Sequence, residues 1–293
     1  MCENLCNLCA RQCNINRDSL LGYCKMPKNP VLAKACLHFG EEPCITGKNG
    51  SGTVFFSGCS LGCVFCQNDV ISHAKKGKEV TINRLADIFK ELENLGAENI
   101  NLVTPTHYVD AIIEALKIYK PNIPIVYNSS GYDDEQTIER LKNYVDIYLM
   151  DFKYYSDDRA MKYSNAPNYS STVKKALLTA AKNVNNELLF DENNVMRKGL
   201  IIRHLIMPQG TNDAINIIKW CNQNLSFATF SLMSQYTPVT DLSNYKEINR
   251  RITKREYEKV LYELEDSDFP VIYSQDLSSS TNEMIPDFDC LGI

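Results

Sequence analysis

The chain has 293 residues, which suits one large α/β domain or one domain with a small appendage. Its net charge of −5 lacks the basic signature of a nucleic-acid-binding protein, and no apolar run approaches the roughly 20 residues of a membrane span. The 12 cysteines stand in a long chain with a polar start and no signal-peptide pattern, so they favour metal binding over disulfides. We therefore expect a reducing, cytoplasmic setting, with neither nucleic acid nor membrane as a partner.

The first fifty residues are rich in cysteine, and the tightest set is Cys6, Cys9, Cys13 and Cys24. This segment shows no lasting helical or strand periodicity, so we expect a metal to fold it. Zinc ribbons usually pair two C-x2-C knuckles, and only one is present here. The spacing therefore favours a second iron–sulfur cluster, with zinc or free structural thiols as the alternatives.

A glycine-rich stretch from 38 to 52 leads into the next strand. It is not a phosphate-binding loop, because it has no G-x4-G-K-[ST] match and precedes a strand rather than a helix. Glu41 and Glu42 in this stretch are either polar contacts near a binding site or surface charges.

Three cysteines, Cys59, Cys63 and Cys66, follow the β-prone run 53–56 at the spacing C-x3-C-x2-C. Three thiolates on one short loop can hold three irons of a cubane cluster and leave the fourth iron open to a substrate or cofactor, whereas four-cysteine ligation leaves none. A zinc knuckle with one chance cysteine is the alternative interpretation.

Beyond this loop, strands and helices alternate, which predicts a parallel sheet with outer helices and about six β/α units. Residues 81–95 form an amphipathic helix that Gly96 ends, and Thr253 and Glu256 look like the capping box of the last helix. The polar stretch 185–198 is expected to be a surface excursion. The other predicted strands are 99–104, 123–128, 145–151, 200–207, 227–233 and 271–274, and the other predicted helices are 108–119, 134–144, 170–184 and 214–222.

The cysteine loop resembles that of the radical S-adenosylmethionine (SAM) enzymes, and Phe65 stands where that family has an aromatic residue before the third cysteine. The resemblance implies a partial (β/α)6, TIM-like barrel and a [4Fe–4S] cluster whose open iron is chelated by the amino and carboxylate groups of SAM. It also implies an electron donor such as flavodoxin or ferredoxin, and reductive cleavage of SAM to a 5′-deoxyadenosyl radical. We divide the chain into a cysteine-rich metal-binding segment (1–50), the barrel (51–275) and a C-terminal tail or lid (276–293).

Ligands of parallel α/β folds bind at the carboxyl ends of the strands. Here those ends resemble pyruvate formate-lyase activating enzymes, which have T-N-G, D-L-K and R-Y-x-x-x-P motifs. The resemblance implies that Asp151, in the D-F-K sequence that ends at Lys153, holds a monovalent cation with Asn128 and Ser129, and that Arg203 contacts SAM. Asn128 replaces an acid of the family. A helix cap or loop charge is the alternative for Asp151, and a surface ion pair for Arg203.

The second strand end departs further from that family, since it reads V-T-P-T-H-Y in place of a Gly-Gly motif. Thr104 and Thr106 are expected to contact SAM there through hydroxyls or backbone carbonyls. His107 is either a substrate contact or, as is commoner for a lone histidine, structural.

Taken together, the motifs resemble the X-type paralogues of the activating enzymes over nearly the whole chain. The resemblance implies hydrogen-atom abstraction, with a glycine of a partner glycyl-radical enzyme as the first candidate substrate. Activating enzymes with extra clusters carry the added cysteines after the SAM loop, whereas here they precede it. The alternatives are a small molecule or peptide as substrate, and a non-catalytic iron–sulfur electron carrier.

Overall fold

The computed structural model describes residues 5–73, 76–277 and 287–293. Its strands are β1 Val31–His38, β2 Ser51–Phe56, β3 Lys78–Glu79, β4 Ile100–Val103, β5 Ile125–Ser129, β6 Ile147–Asp151, β7 Leu189–Phe190, β8 Met196–Leu205, β9 Thr229–Met233 and β10 Val271–Ser274. Its helices are α1 Pro43–Thr46, α2 Asp69–Ser72, α3 Ile82–Asn94, α4 Val109–Ile118, α5 Glu135–Arg140, α6 Asp157–Ser164, α7 Tyr169–Asn183, α8 Thr211–Leu225 and α9 Lys254–Glu265.

The strands form a single sheet in the order β10-β9-β8-β6-β5-β4-β2-β1-β3, with β7 paired to β8. The pairs from β2 through β4, β5, β6, β8 and β9 to β10 are all parallel. The first and last strands of this order do not pair with each other, so the sheet curves without closing. The parallel sheet that the alternation of strands and helices predicted is present, in the form of the partial barrel that the resemblance implied.

Helix boundaries follow local signals that are visible in the sequence. Thr81 caps α3 by accepting a hydrogen bond from the Arg84 amide at 3.1 Å, and Gly96 follows the helix with a φ of 84°. The capping box of Thr253 and Glu256 is also present, at the start of α9. Helix α6 was not predicted, because it is short and has few apolar residues.

The two faces of the sheet are covered differently. Along β5, β6 and β8, successive side chains alternate between the outer core, which the longer helices cover, and a smaller inner cluster. Short helix α1 lies in that inner cluster, where Ile45 is fully buried among Val126, Leu149 and Ile201. The turn before α1 is thereby carried into the interior of the partial barrel.

The prediction that the first fifty residues lack lasting strand periodicity is wrong for residues 31–38. These form β1, which pairs antiparallel with β2 and covers the edge of a strand whose every residue is buried. The division of the chain at residue 50 stays a prediction.

Two other segments differ from expectation. The polar stretch 185–198 contains β7, which folds back on the start of β8 as a hairpin, with Val195 and Met196 buried. At the end of the chain, Cys290 and Leu291 hydrogen-bond to β1 through their backbones. The middle of the predicted tail, including its three serines, lies outside the described residues. No helix in the described ranges is long and apolar enough to cross a membrane.

Candidate functional site

The three loop cysteines lie at the carboxyl end of β2, and each of their sulfurs accepts a hydrogen bond. Cys59 Sγ accepts from the Leu61 amide at 3.4 Å. Cys63 Sγ accepts from Ser164 Oγ at 2.9 Å, and Cys66 Sγ from Ser72 Oγ at 3.3 Å. Donors aimed at sulfur stabilise thiolates and tune the potential of a bound cluster. Ser72 and Ser164 were missed by the sequence analysis.

Burial raises the pKa of all three loop thiols, and that of Cys63 reaches about 11. The ammonium of Lys153 acts in the opposite direction on each of them. Lys153 is therefore the cation that faces this set of thiols, and its charge would offset that of thiolates bound to iron. Metal binding must displace the three thiol protons.

A cubane cluster binds each thiolate through a different iron, which is a wider arrangement than one ion requires. In the described ranges, no three His, Cys, Asp or Glu side chains converge on the position of a single metal ion. The donor chemistry of the loop, three half-buried thiols with sulfur-directed donors beside a lysine, fits a [4Fe–4S] cluster with one open iron.

Next to the loop, Arg203 joins the ends of four segments. Asp151 and Arg203 are direct partners in the register of β6 and β8. Arg203 Nε donates to Asp151 Oδ1 at 2.7 Å, its Nη2 to Asn128 Oδ1 at 2.9 Å and its Nη1 to Glu41 Oε2 at 3.2 Å. Lys153 Nζ donates to the other Asp151 oxygen at 2.5 Å. Arg203 is thus not a surface ion pair, and Asp151 is neither a helix cap nor a loop charge.

This network sets the protonation of its acids. Burial alone would raise the pKa of Asp151, but the charges of Arg203 and Lys153 outweigh it and lower that pKa to about 2. Burial raises the pKa of Glu42 to about 7 against the attraction of Arg203. Asp151 is therefore ionised at neutral pH, whereas Glu42 titrates near it.

Glu41 and Glu42 come from the turn before α1, and both are contacts of this network rather than surface charges. Glu41 also accepts from Asn128 Nδ2 at 3.2 Å, and Glu42 accepts from Ser231 Oγ at 3.1 Å. An acid thus stands beside Asn128, the position where the resembled family has its own acid.

The Thr106 hydroxyl, expected to contact SAM, and the Ser129 hydroxyl, expected to hold the cation, converge with that of Tyr127 on Asp133, a buried acid that the sequence analysis missed. Thr106 Oγ1 and Tyr127 OH donate to Asp133 Oδ1 at 2.7 and 2.8 Å, and Ser129 Oγ donates to Oδ2 at 2.6 Å. Burial raises the pKa of Asp133 against these donors. Its place beside a second aspartate, Asp134, in the turn Y-D-D offered the only local signal.

Thr104 has a φ of 61° at the end of β4, and its amide donates to the Asn128 carbonyl at 2.9 Å. A β-branched residue in the left-handed region costs about 1–3 kcal/mol, and such strain clusters at ligand sites. Thr104 therefore remains a candidate SAM contact through its backbone.

His107 is buried, with Nε2 lying 2.8 Å from the Ser57 carbonyl. Burial lowers its pKa to about 3, so it is neutral and Nε2 carries the donating hydrogen. The histidine ring therefore holds the start of the cysteine loop, which favours the structural alternative. Phe65 packs against Tyr236 with ring centroids 5.6 Å apart, and so anchors the other end of the loop.

Residues 5–30, here called the N-terminal cysteine segment, lie against this site. The four cysteines of this segment are all free thiols. Burial raises the pKa of Cys9 to about 12, and the charges of Cys24, Cys6 and Cys13 add to this effect. Cys9 also forms a backbone bridge with Asp133. Cys36 lies apart from them in β1 and Cys44 in α1.

Comparison with known proteins agrees with this geometry. A sequence profile described as the Radical SAM superfamily matches residues 53–198. The chain is 32% identical over 278 residues to the uncharacterized protein MJ0674 of Methanocaldococcus jannaschii, an alignment that covers 92% of this chain and 76% of that protein.

Among solved structures, the chain is similar to Streptococcus suis SuiB bound to S-adenosylmethionine, with a TM-score of 0.53, 15% identity, and coverage of 79% of this chain and 52% of SuiB. SuiB bound to the precursor peptide SuiA gives a TM-score of 0.51 and 14% identity, with coverage of 78% and 50%. The chain spans about half the length of SuiB, and at this identity the likeness shows the fold. Because the superfamily profile covers the strands that carry the cysteine loop and its acidic neighbours, the chain belongs to the radical SAM superfamily.

Proposed function

We propose that this protein cleaves SAM reductively for hydrogen-atom abstraction. The observation that carries the proposal is the cysteine loop, whose three thiols each receive a hydrogen bond beside Lys153 and the Asp151–Arg203 pair. With SAM on its open iron, a cluster held by these three thiolates would supply one electron to the sulfonium, and the S–C bond would break to give methionine and a 5′-deoxyadenosyl radical.

In this proposal the side chains of the protein bind, orient and balance charge. Cys59, Cys63 and Cys66 hold three irons, and Lys153 offsets the thiolate charge. Arg203 and the strained turn at Thr104 are assigned to the amino-acid part of SAM. The remaining predicted contacts, Phe65, Thr106, Asn128, Ser129 and Asp151, are assigned in this proposal to the wall of the same binding position.

The monovalent cation expected beside Asp151 does not fit the side chains as they stand. Both oxygens of this carboxylate already bind cationic groups, Lys153 Nζ at 2.5 Å and Arg203 Nε at 2.7 Å. An additional cation would meet two positive charges at contact distance. We propose that Lys153 and Arg203 supply that positive charge in this protein.

The first candidate substrate is a glycine of a partner glycyl-radical enzyme, on the strength of the strand-end motifs. The alternative is a small molecule or a peptide, and the fold likeness to SuiB, which was solved with its precursor peptide SuiA, supports the peptide. A non-catalytic electron carrier would need no strained turn such as that of Thr104 at the carboxyl end of β4.

The test of cleavage is production of 5′-deoxyadenosine by the anaerobically reconstituted protein with SAM and a chemical reductant. Cys63→Ala is expected to abolish it, because two thiolates leave two irons of the cluster open. Cys36→Ala, which removes a half-buried cysteine on β1, serves as the matched control. A reducible cluster without cleavage in the unmodified protein would support the electron carrier, and wild-type cleavage by Cys63→Ala would refute the assignment of the loop.

The substrate is tested by mixing reduced enzyme and SAM with a candidate glycyl-radical enzyme. A protein glycine as target should give a doublet electron-spin signal on the partner, because the remaining α-hydrogen splits the unpaired spin. Failure with every glycyl-radical enzyme of the same genome would refute that substrate. SAM cleavage in step with modification of a peptide or metabolite would establish the alternative.

A further inference from the structure

The N-terminal cysteine segment packs directly on the loop that carries Cys59 and Cys63. Gly58 has a φ of 80°, and a Cβ built there would lie 2.3 Å from Met26 Cγ. A Cβ on Gly62 would lie 2.6 Å from Tyr23 OH. The two glycines precede the two cysteines, so the segment touches the loop immediately beside its iron ligands.

A third contact lies between these two. Arg11 Nε donates to the Ser60 carbonyl at 2.8 Å, directly after Cys59. Its guanidinium carbon lies 3.6 Å from the centroid of the Tyr23 ring and 5.2 Å from that of Tyr132. Its Nη2 is buried with no hydrogen-bond partner among the described residues. A half-buried arginine with a buried, free donor therefore stands between the two groups of cysteines.

Each of the three contacts starts next to a cysteine of the N-terminal set. Met26 lies two residues after Cys24, Tyr23 lies one residue before it, and Arg11 lies between Cys9 and Cys13. The two groups of cysteines are thus joined by short paths, each made of a few covalent bonds and one packing contact or hydrogen bond.

The local backbone also directs donors at the N-terminal sulfurs. The Tyr23 amide lies 3.4 Å from Cys13 Sγ, and the amides of Arg11 and Met26 hydrogen-bond to the thiols of Cys9 and Cys24. Backbone donors to sulfur are typical surroundings of thiolates in iron–sulfur proteins. Three residues directly next to these cysteines have left-handed backbones, with φ angles of 42° at Gln12, 50° at Asn14 and 54° at Lys25.

We propose that Cys6, Cys9, Cys13 and Cys24 hold a second [4Fe–4S] cluster that relays electrons to the loop cluster. Four thiolates leave no iron open, so this cluster suits electron transfer and not SAM binding. A low-potential one-electron donor is oxidised as it reduces the N-terminal cluster. That cluster is then reoxidised as it reduces the loop cluster, with no bond made or broken in the segment.

The proposed relay depends on the proposed SAM cleavage only for its biological role, because the experiments that test the relay do not require SAM. Replacing the three loop cysteines by alanine should leave about four iron and four sulfide per chain in the N-terminal segment, with the electron-spin signal of a reduced cluster. Zinc, or no metal, in this variant would overturn the proposal.

The next measurement tests whether the two clusters lie close together. In fully reduced wild-type protein the two clusters should couple magnetically, so that the spectrum differs from the sum of the loop-only and segment-only variants. The loop-only variant carries Cys13→Ser and Cys24→Ser, and the segment-only variant is the one in which the three loop cysteines are replaced by alanine. A wild-type spectrum equal to that sum would refute a relay built on the contacts at Gly58, Ser60 and Gly62.

The rate of electron transfer completes the test. In the loop-only variant, reduction of the loop cluster by reduced flavodoxin should slow by about tenfold or more, a barrier rise of about 1.4 kcal/mol. Reduction by a small chemical reductant should be affected less, because it reaches the loop cluster directly. An unchanged flavodoxin rate would overturn the relay. Absence of 5′-deoxyadenosine with the chemical reductant would instead refute SAM cleavage and leave these readouts intact.

If the variant with Cys13→Ser and Cys24→Ser also fails to assemble the loop cluster, the variant Arg11→Gln provides the test. This variant keeps every thiol and removes the buried charge between the two groups. Potentials of both clusters should fall, because a nearby cation favours the reduced, more negative state. Potentials equal to wild type at both clusters would contradict the position assigned to Arg11 between them.

Discussion

Arg203 allows the sharpest prediction, because one guanidinium serves three acceptors inside the barrel. Arg203→Met keeps the apolar stem and removes the charge. Asp151 then retains only Lys153, and Glu41 retains only Asn128. Removing one partner of a buried ion pair costs about 3–5 kcal/mol, since the other charge stays buried and unpaired. We expect a loss of this size in the free energy of unfolding.

The control is Arg140→Met, which removes an arginine whose ion pair with Asp110 is exposed, with side-chain exposures of 48% and 59%. Exposed pairs of this kind contribute about 0–1 kcal/mol. Urea unfolding of the metal-free proteins at neutral pH, followed by circular dichroism, measures both losses. Adding Asp151→Asn to Arg203→Met should recover part of the stability, because it removes the orphaned charge. Equal losses for Arg203→Met and Arg140→Met would refute the central place of Arg203.

Three further predictions concern the same region. Because burial raises the folded-state pKa of Glu42 to about 7 from an ordinary 4.5, the free energy of unfolding should fall as pH rises between these values, by at most about 3 kcal/mol. Glu42→Gln should remove this pH dependence in urea titrations at pH 5 and pH 7.5, and an unchanged pH dependence in the variant would contradict the prediction. Asp151→Asn should weaken SAM binding to the reconstituted protein about ten- to a hundredfold, because it removes the charge that holds Arg203 and Lys153 in place and a charged hydrogen bond is worth roughly 1.5–3 kcal/mol. The exposed control Asp110→Asn should leave SAM binding unchanged. Gly58→Ala should reduce iron incorporation far more than Gly96→Ala. Both glycines have a positive φ, but only the Cβ added at Gly58 would meet a neighbour, Met26 Cγ at 2.3 Å. Equal iron content in the two variants would show that the contact with the N-terminal cysteine segment is dispensable.

Much of the fold could be predicted because its signals are local. The β-prone run before Cys59, the capping residues Thr81 and Thr253, and the alternation of apolar segments each depend on a few neighbouring residues. The motifs around Asp151 and Arg203 also sit where parallel strands end, so they were expected to meet at one edge of the sheet, as the register of β6 and β8 confirms.

What escaped prediction depends on contacts between distant parts of the chain. Ser164 donates to Cys63 across 101 residues, and Glu41 meets Arg203 across 162. Ser164 and Glu41 do not belong to a recognisable sequence motif, so no local pattern marked them as part of the site. The short helix α1 had no visible periodicity either, and its burial inside the barrel is what carries the two glutamates there.

The sequence by itself determined the chemistry of the site, since three thiols at C-x3-C-x2-C can reach one cluster from a single loop whatever the rest of the chain does. It also determined that most of the sheet is parallel, through the alternation of strands and helices along the chain. Only the tertiary structure decided that β1 extends the sheet beside β2, that Asp133 gathers the hydroxyls of Thr106 and Ser129, and that the N-terminal cysteine segment rests on the loop. Those arrangements depend on which surfaces remain to be covered once the barrel has formed, and a local pattern carries no information about that choice.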